Sequence, residues 1–79
     1  MMVDVLIPPL EDVFDFELDE RIDAGTLREN IEELISREKK VIFQVTKREL
    51  FNYRMGEFLE EGRPLKEQGT INGDRLILV

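Results

Sequence analysis

The chain contains no cysteine, no histidine and no tryptophan, and Ser36 is its single serine. Those absences remove most of the side chains that carry out chemistry. Without cysteine there is neither a disulfide framework nor a thiol nucleophile. Without histidine the Ser–His and Cys–His pairs of nucleophilic catalysis cannot be assembled, and zinc loses its preferred ligands. Positive charge is scarce too: eleven Lys and Arg stand against eighteen Asp and Glu, a formal net charge of −7. Nucleic-acid binders need clustered cations to displace counterions from phosphate, so this balance argues against DNA or RNA as a partner. It disfavours anionic membrane surfaces for the same reason. No apolar run approaches the roughly 18 residues needed to span a bilayer, and Met1 to Ile7 lacks a basic leader. The expectation is a cytoplasmic protein with no direct membrane insertion.

The remaining polar residues offer few alternatives. Arg37, Lys39, Lys40, Lys47 and Arg48 place five of the eleven basic residues within twelve positions. The simplest reading of that cluster is a set of cations at the negative end of a helix followed by a solvated loop, in preference to an anion site. Two carboxylates could serve acid–base catalysis, but Asp15, Glu17 and Asp19 fall on the solvent side of an edge strand, where charge keeps other chains from pairing. Neither Glu11-Asp12 nor Asn72-Gly73-Asp74 gives the alternating oxygen ligands of a calcium loop. Gly25-Thr26 opens a helix with a single glycine, which suits an ordinary cap better than a phosphate cradle. The expectation is therefore no enzyme, no catalytic residue, no cofactor and no metal.

What is present is enough for one small domain over residues 1–79. A chain of this length buries roughly 60% of the surface its unfolded form exposes. Hydrophobic residues at 42% suffice for one layer of side chains between a sheet and a helix, and charged residues at 37% supply the exterior.

Met2 to Ile7 alternates Val3, Val5 and Ile7 against Met2, Asp4 and Leu6, the period of a strand with one buried face. Pro8 and Pro9 end it. From Val13 to Asp19, Phe14, Phe16 and Leu18 alternate with Asp15, Glu17 and Asp19, so the two strands read as a hairpin turning around Leu10, Glu11 and Asp12. Leu27, Ile31, Leu34 and Ile35 then recur as the apolar stripe of an amphipathic helix from Leu27 to about Lys39. Thr26 is its expected N-cap, with Glu29 completing a capping box, and Glu33 and Arg37 are spaced to attract one another. Residues 40–48, which include Val41, Ile42, Phe43 and Val45, read as a partly buried connection. Glu49 to Met55 reads as a strand, Gly56 as a turn, Glu57 to Glu60 as a short strand and Glu61-Gly62 as another turn. Asn72-Gly73-Asp74 turns the chain into a last strand, Arg75 to Val79.

A hairpin, one helix and further strands belong to the α+β class, with the helix covering one face of a mixed sheet. If the last strand lies parallel to the first in the centre, the order becomes 2-1-5-3-4, the β-grasp arrangement. The expected core is Val3, Val5, Ile7, Phe14, Phe16, Leu18, Leu27, Ile31, Leu34, Ile35, Leu59, Leu65, Leu76 and Leu78.

Phe58-Leu59-Glu60-Glu61-Gly62-Arg63-Pro64-Leu65, followed by Ile71 and Leu76-Ile77-Leu78-Val79, resembles the second half of ubiquitin-like domains in residue type and spacing. With its hairpin, helix, variable connection and Asn72-Gly73-Asp74-Arg75-Leu76 ending, the whole chain resembles the small bacterial ubiquitin-like proteins of the YukD/EsaB family. The Val41 to Val45 run departs from ubiquitin, where that connection is more polar. The resemblance implies a non-catalytic accessory or regulatory role in a Gram-positive type VII (ESX-like) secretion system. It also implies a protein partner, such as the cytoplasmic part of a secretion membrane component. Conjugation and sulfur carriage both need a flexible Gly-Gly tail, whereas this sequence ends at Val79 in an expected strand, so neither is expected. The alternatives are a modifier or sulfur carrier whose Gly-Gly tail is missing from this sequence, and a β-grasp adaptor of another assembly, such as a toxin–antitoxin pair or a metabolic complex.

The expected work is then recognition through a surface. If Leu76 and Leu78 face the helix, Ile77 and Val79 face outward, and so does Leu6 once Val5 and Ile7 face inward. Leu50 or Tyr53 from the neighbouring strand extends the set, depending on register. Four such side chains form a patch of roughly a few hundred Å², the size at which exposed apolar surface often marks an interface, although isolated exposed aliphatics on strands are common. Leu6, Leu50, Tyr53, Ile77 and Val79 are thus the candidate interaction residues, for a protein partner or for a weak homodimer.

Overall fold

The computed structural model describes residues 1–43 and 47–79. Strand β1 (Met2–Ile7) and strand β2 (Asp12–Glu17) form the expected antiparallel hairpin, with Val3 opposite Phe16 and Val5 opposite Phe14. The prolines set a 3₁₀ turn at Pro8–Leu10, and Glu11 reverses the chain in the left-handed region at φ 51°. β2 ends two residues before Asp19 because Asp19 turns aside: its carboxylate accepts from the Arg21 backbone and guanidinium, each at 3.0 Å. Leu18 stays buried and exchanges backbone hydrogen bonds with Met1 at 2.7 and 2.9 Å.

Helix α1 (Ala24–Lys39) starts three residues before the expected Leu27. Thr26 is not its cap. Asp23 holds the cap position without a side-chain bond, because the first free N–H groups are satisfied from elsewhere in the chain. Ala24 donates to the Arg63 carbonyl at 3.0 Å and Gly25 to the Glu61 carbonyl at 2.9 Å. A Cβ on Gly25 would lie 3.0 Å from Glu61 Cβ and 3.1 Å from its carbonyl oxygen, so the bare glycine allows this approach. The helix stops at Lys40, in the left-handed region at φ 54°.

Ala24, Leu27, Ile31 and Ile35 form the buried stripe, whereas Leu34, expected in the core, is 41% exposed. Leu34 sits at the margin of the stripe beside Phe14 and Phe16. Because β2 is the edge strand, no further strand covers this margin among the described residues. The two phenylalanines are half-buried for the same reason.

Strand β3 (Leu50–Asn52) is shorter than the run from Glu49 to Met55. Its side-chain amide and carbonyl draw the chain into a turn: Asn52 Oδ1 accepts from Met55 N at 3.1 Å and its backbone carbonyl from Gly56 N at 2.8 Å. Strand β4 (Glu57–Phe58) pairs antiparallel with β3, and strand β5 (Arg75–Leu78) lies between β3 and β1, parallel to β1. The sheet order β2-β1-β5-β3-β4 is the one expected from the sequence. The core holds the expected residues apart from Leu34 and the two half-buried phenylalanines, and gains Ala24 and Leu50. In the connection, Val41 and Phe43 pack against the core and Ile42 is 93% exposed; Val45 lies outside the described residues. No helix among the described residues is long and apolar enough to cross a membrane.

Candidate protein-interaction face

The helix covers one face of the sheet and leaves the other open. On β1 the buried residues are Val3, Val5 and Ile7, so Met2, Asp4 and Leu6 belong to the open face. Cross-strand register then fixes which residues stand beside Leu6. Val13 of β2 is opposite it on one side and Ile77 of β5 on the other; Phe51 of β3 is opposite Ile77, and Phe58 of β4 opposite Phe51. Among the described residues, each strand of the sheet contributes one apolar side chain to a single row.

Val13 and Phe58, at the two ends of the row, are 37% and 55% exposed, while Leu6, Ile77 and Phe51 are half-buried by their neighbours. The Phe51 and Phe58 rings meet edge to face, with centroids 5.1 Å apart and planes at 71°, a favourable arrangement of their quadrupoles. Tyr53, 68% exposed, shares the parity of Phe51, and Val79, 47% exposed, shares that of Ile77. Val79 is held by two backbone hydrogen bonds with Glu49, at 2.7 and 3.0 Å.

A polar row runs alongside. Asp15 stands opposite Asp4, and Asp4 opposite Arg75, whose guanidinium is 3.4 Å from the Asp4 carboxylate. Hydrogen bonding between the two carboxyls, aided by Arg75, lowers the Asp4 pKa, and the same contact raises that of Asp15. The stabilisation from Asp4 is therefore lost as pH falls through its folded value, and that from Asp15 as pH rises through its own.

Beneath this face a buried polar cluster holds β3 in register. Asn52, fully buried on the helix side, donates to Thr70 Oγ1 at 3.2 Å and to Asp74 Oδ2 at 3.0 Å. Asp74 also accepts from Arg54 at 2.7 and 3.1 Å and from the Ile71 N–H at 2.9 Å. The Arg54 guanidinium is the main reason its carboxyl is lowered to about 2, against the opposing effect of burial. With Asn52 fixed inward, Phe51 points outward.

Of the residues expected in the patch, Leu6, Ile77, Tyr53 and Val79 share the parity of the open face. Leu50 does not: it is 2% exposed, pairs with Leu78 and lies in the core. Leu50 and Tyr53 are three residues apart and cannot share one face of a strand, and the buried Asn52 decides between them. Val13, Phe51 and Phe58 are additions. The alternation of Phe51 with Tyr53 signals the second of these; Phe58 falls in the short strand expected over Glu57 to Glu60, and the register that sets it opposite Phe51 places it on this face. The basic cluster is dispersed into local contacts: Arg37 pairs with Glu33 at 2.7 Å as expected, Lys47 with Glu61 at 3.5 Å, Lys39 lies over Phe14 and Arg48 over Phe43.

No family model matches this chain, and no curated protein does. Among solved structures, the ubiquitin-like domain of an Arabidopsis thaliana protein, determined in solution by NMR, superposes with a TM-score of 0.75. The match covers 100% of this chain and 74% of that one at 19% sequence identity. The fold is ubiquitin-like. At that identity the likeness concerns the fold alone, and since 218 solved chains match, function has to be argued from the surface of this ubiquitin-like domain.

Proposed function

We propose that this ubiquitin-like domain is a non-catalytic, non-conjugated interaction module that docks a protein partner on its open sheet face. The observation that carries this reading is the apolar row Val13, Leu6, Ile77, Phe51 and Phe58, one residue from each strand, with Tyr53 beside it. A contiguous apolar stripe flanked by charge has the anatomy of an interface centre and rim, and its aromatic members are of the kind that anchor partners. The adjoining Asp4, Asp15 and Arg75 supply charges that orient a partner. The resemblance of the chain, most specific from Gly56 to Val79, to the YukD/EsaB family supports an accessory role in type VII secretion. In that role the domain acts in the cytoplasm, against the cytoplasmic part of a membrane component.

Photo-crosslinking in the native cell tests the reading. A photoreactive phenylalanine at Phe51 is expected to yield a defined protein adduct, and the same group at Glu33, on the exposed side of the helix, is not. Adducts from Glu33 with none from Phe51 would overturn it; an adduct between two copies of this chain would make the face a homodimer contact. The ubiquitin-like fold also favours one competing reading, a modifier or sulfur carrier. That reading requires a longer species ending in Gly-Gly, and the intact mass of the native protein decides it.

A further inference from the structure

A second surface lies at the other end of the sheet from β4. Met1 and Leu18 exchange backbone hydrogen bonds, and the Asp4 N–H turns the other way, toward Asp74. Alternation along the hairpin therefore aims the backbone groups of Phe14 and Phe16 at β1, and those of Val13, Asp15 and Glu17 at the open edge. Among the described residues no strand pairs with that edge. Beside it, between β2 and α1, runs a groove of about 510 Å³ with apolar walls of Phe14, Phe16, Leu34 and Ile35. On the helix side its polar groups are Glu38 and the ammonium of Lys39, which lies 5.3 Å from the Phe14 ring centre, while Asp15 and Glu17 border the groove along the strand and alternate to the opposite face.

We propose that the β2 edge and this groove bind a short extended peptide of alternating apolar and basic residues, added to the sheet as a sixth strand. The pleat of β2 dictates the pattern. Residues of the added strand beside Phe14 and Phe16 turn into the groove, and those beside Asp15 and Glu17 turn to the carboxylate side. Opposite charges facing one another across strands attract, so Lys or Arg belongs at the second set of positions. A second copy of this chain is a poor occupant, because β2 against β2 brings acidic side chains opposite acidic side chains. This site shares Val13 and Asp15 with the open-face row and its charged flank, and the peptide comparison on the unaltered protein separates the two readings.

The test uses the whole chain and a fluorescein-labelled hexapeptide alternating valine with lysine, followed by fluorescence polarisation. Saturable binding that weakens with salt is expected, with amide shifts and slowed exchange centred on Asp15 and Glu17, since the Val13 N–H already donates to the Asp12 carboxylate at 2.8 Å. A peptide of the same composition with three valines followed by three lysines is expected to bind about tenfold more weakly. The double variant Asp15→Lys, Glu17→Lys should lose about tenfold for the alternating basic peptide and prefer its valine–glutamate counterpart. Both side chains are exposed, so the fold is expected to survive; the peptide comparison on the unaltered protein needs no variant. Equal binding of the two valine–lysine peptides, shifts centred on Ile77 and Phe51, absence of saturable binding, or dimerisation through β2 would each overturn the proposal.

Discussion

Replacing Asp74 with Asn probes the buried cluster that sets the register of β3, and with it the outward position of Phe51. Asp74 is 4% exposed, and its carboxylate accepts from Arg54, Asn52 and the Ile71 N–H. Its pKa falls from 3.8 to about 2 on folding, a difference equivalent to about 2 kcal/mol. Because the Arg54 side chain is 48% exposed, solvent screens part of that attraction, and about 1 to 2 kcal/mol is the expected cost at pH 7. For a domain that holds on the order of 5 kcal/mol in all, the loss lowers the melting midpoint by roughly 10 °C. The folded value lies below the unfolded one, so the stabilisation is present in full above pH 4 and is lost as pH falls toward 2. Urea unfolding of both proteins at pH 7, 4, 3 and 2.5 therefore has a defined outcome: the gap between them narrows with each step below pH 4. A gap that stays constant to pH 2.5 would show a steric defect instead, and no gap at pH 7 would show that the cluster contributes nothing.

Two other substitutions separate packing from propensity and core from surface. Gly25→Ala gains about 1 kcal/mol of helix propensity but places a methyl 3.1 Å from the Glu61 backbone oxygen; the overpacking wins, and a net loss of about 1 kcal/mol is expected by thermal unfolding, whereas a gain would refute the tight contact. Leu50→Ala should cost about 2 to 5 kcal/mol in chemical denaturation because Leu50 is 2% exposed, and Tyr53→Ala less than about 1; the reverse ranking would return Leu50 to the surface.

The fold was legible wherever a short-range signal coincided with a long-range partner. Alternation in Met2–Ile7 and in Phe14 to Leu18, a helical stripe and the apolar run at Arg75–Leu78 gave the elements, and the strand order followed on the condition that the last strand lies in the centre beside the first, where β5 does pair with both β1 and β3. The helix start was not legible from Thr26 and Glu29, since its N–H groups are satisfied by Glu61 and Arg63, more than thirty positions away. Leu34 has the period of a core residue but lies over a sheet edge, and periodicity carries no information on where a sheet ends. The alternation of Phe51 with Tyr53 was legible, but which face of β3 turns outward was not, because that depends on the buried Asn52, a residue type that usually faces solvent.

The open sheet face is tested most directly by the affinity of the partner recovered by crosslinking from Phe51, measured for the native chain and for Leu6→Asp combined with Ile77→Asp. Equal unfolding cooperativity and circular dichroism establish that both are folded. The account predicts a loss of at least about thirtyfold, since two residues at the centre of the apolar row become charged. Unchanged affinity in the folded variant would contradict it.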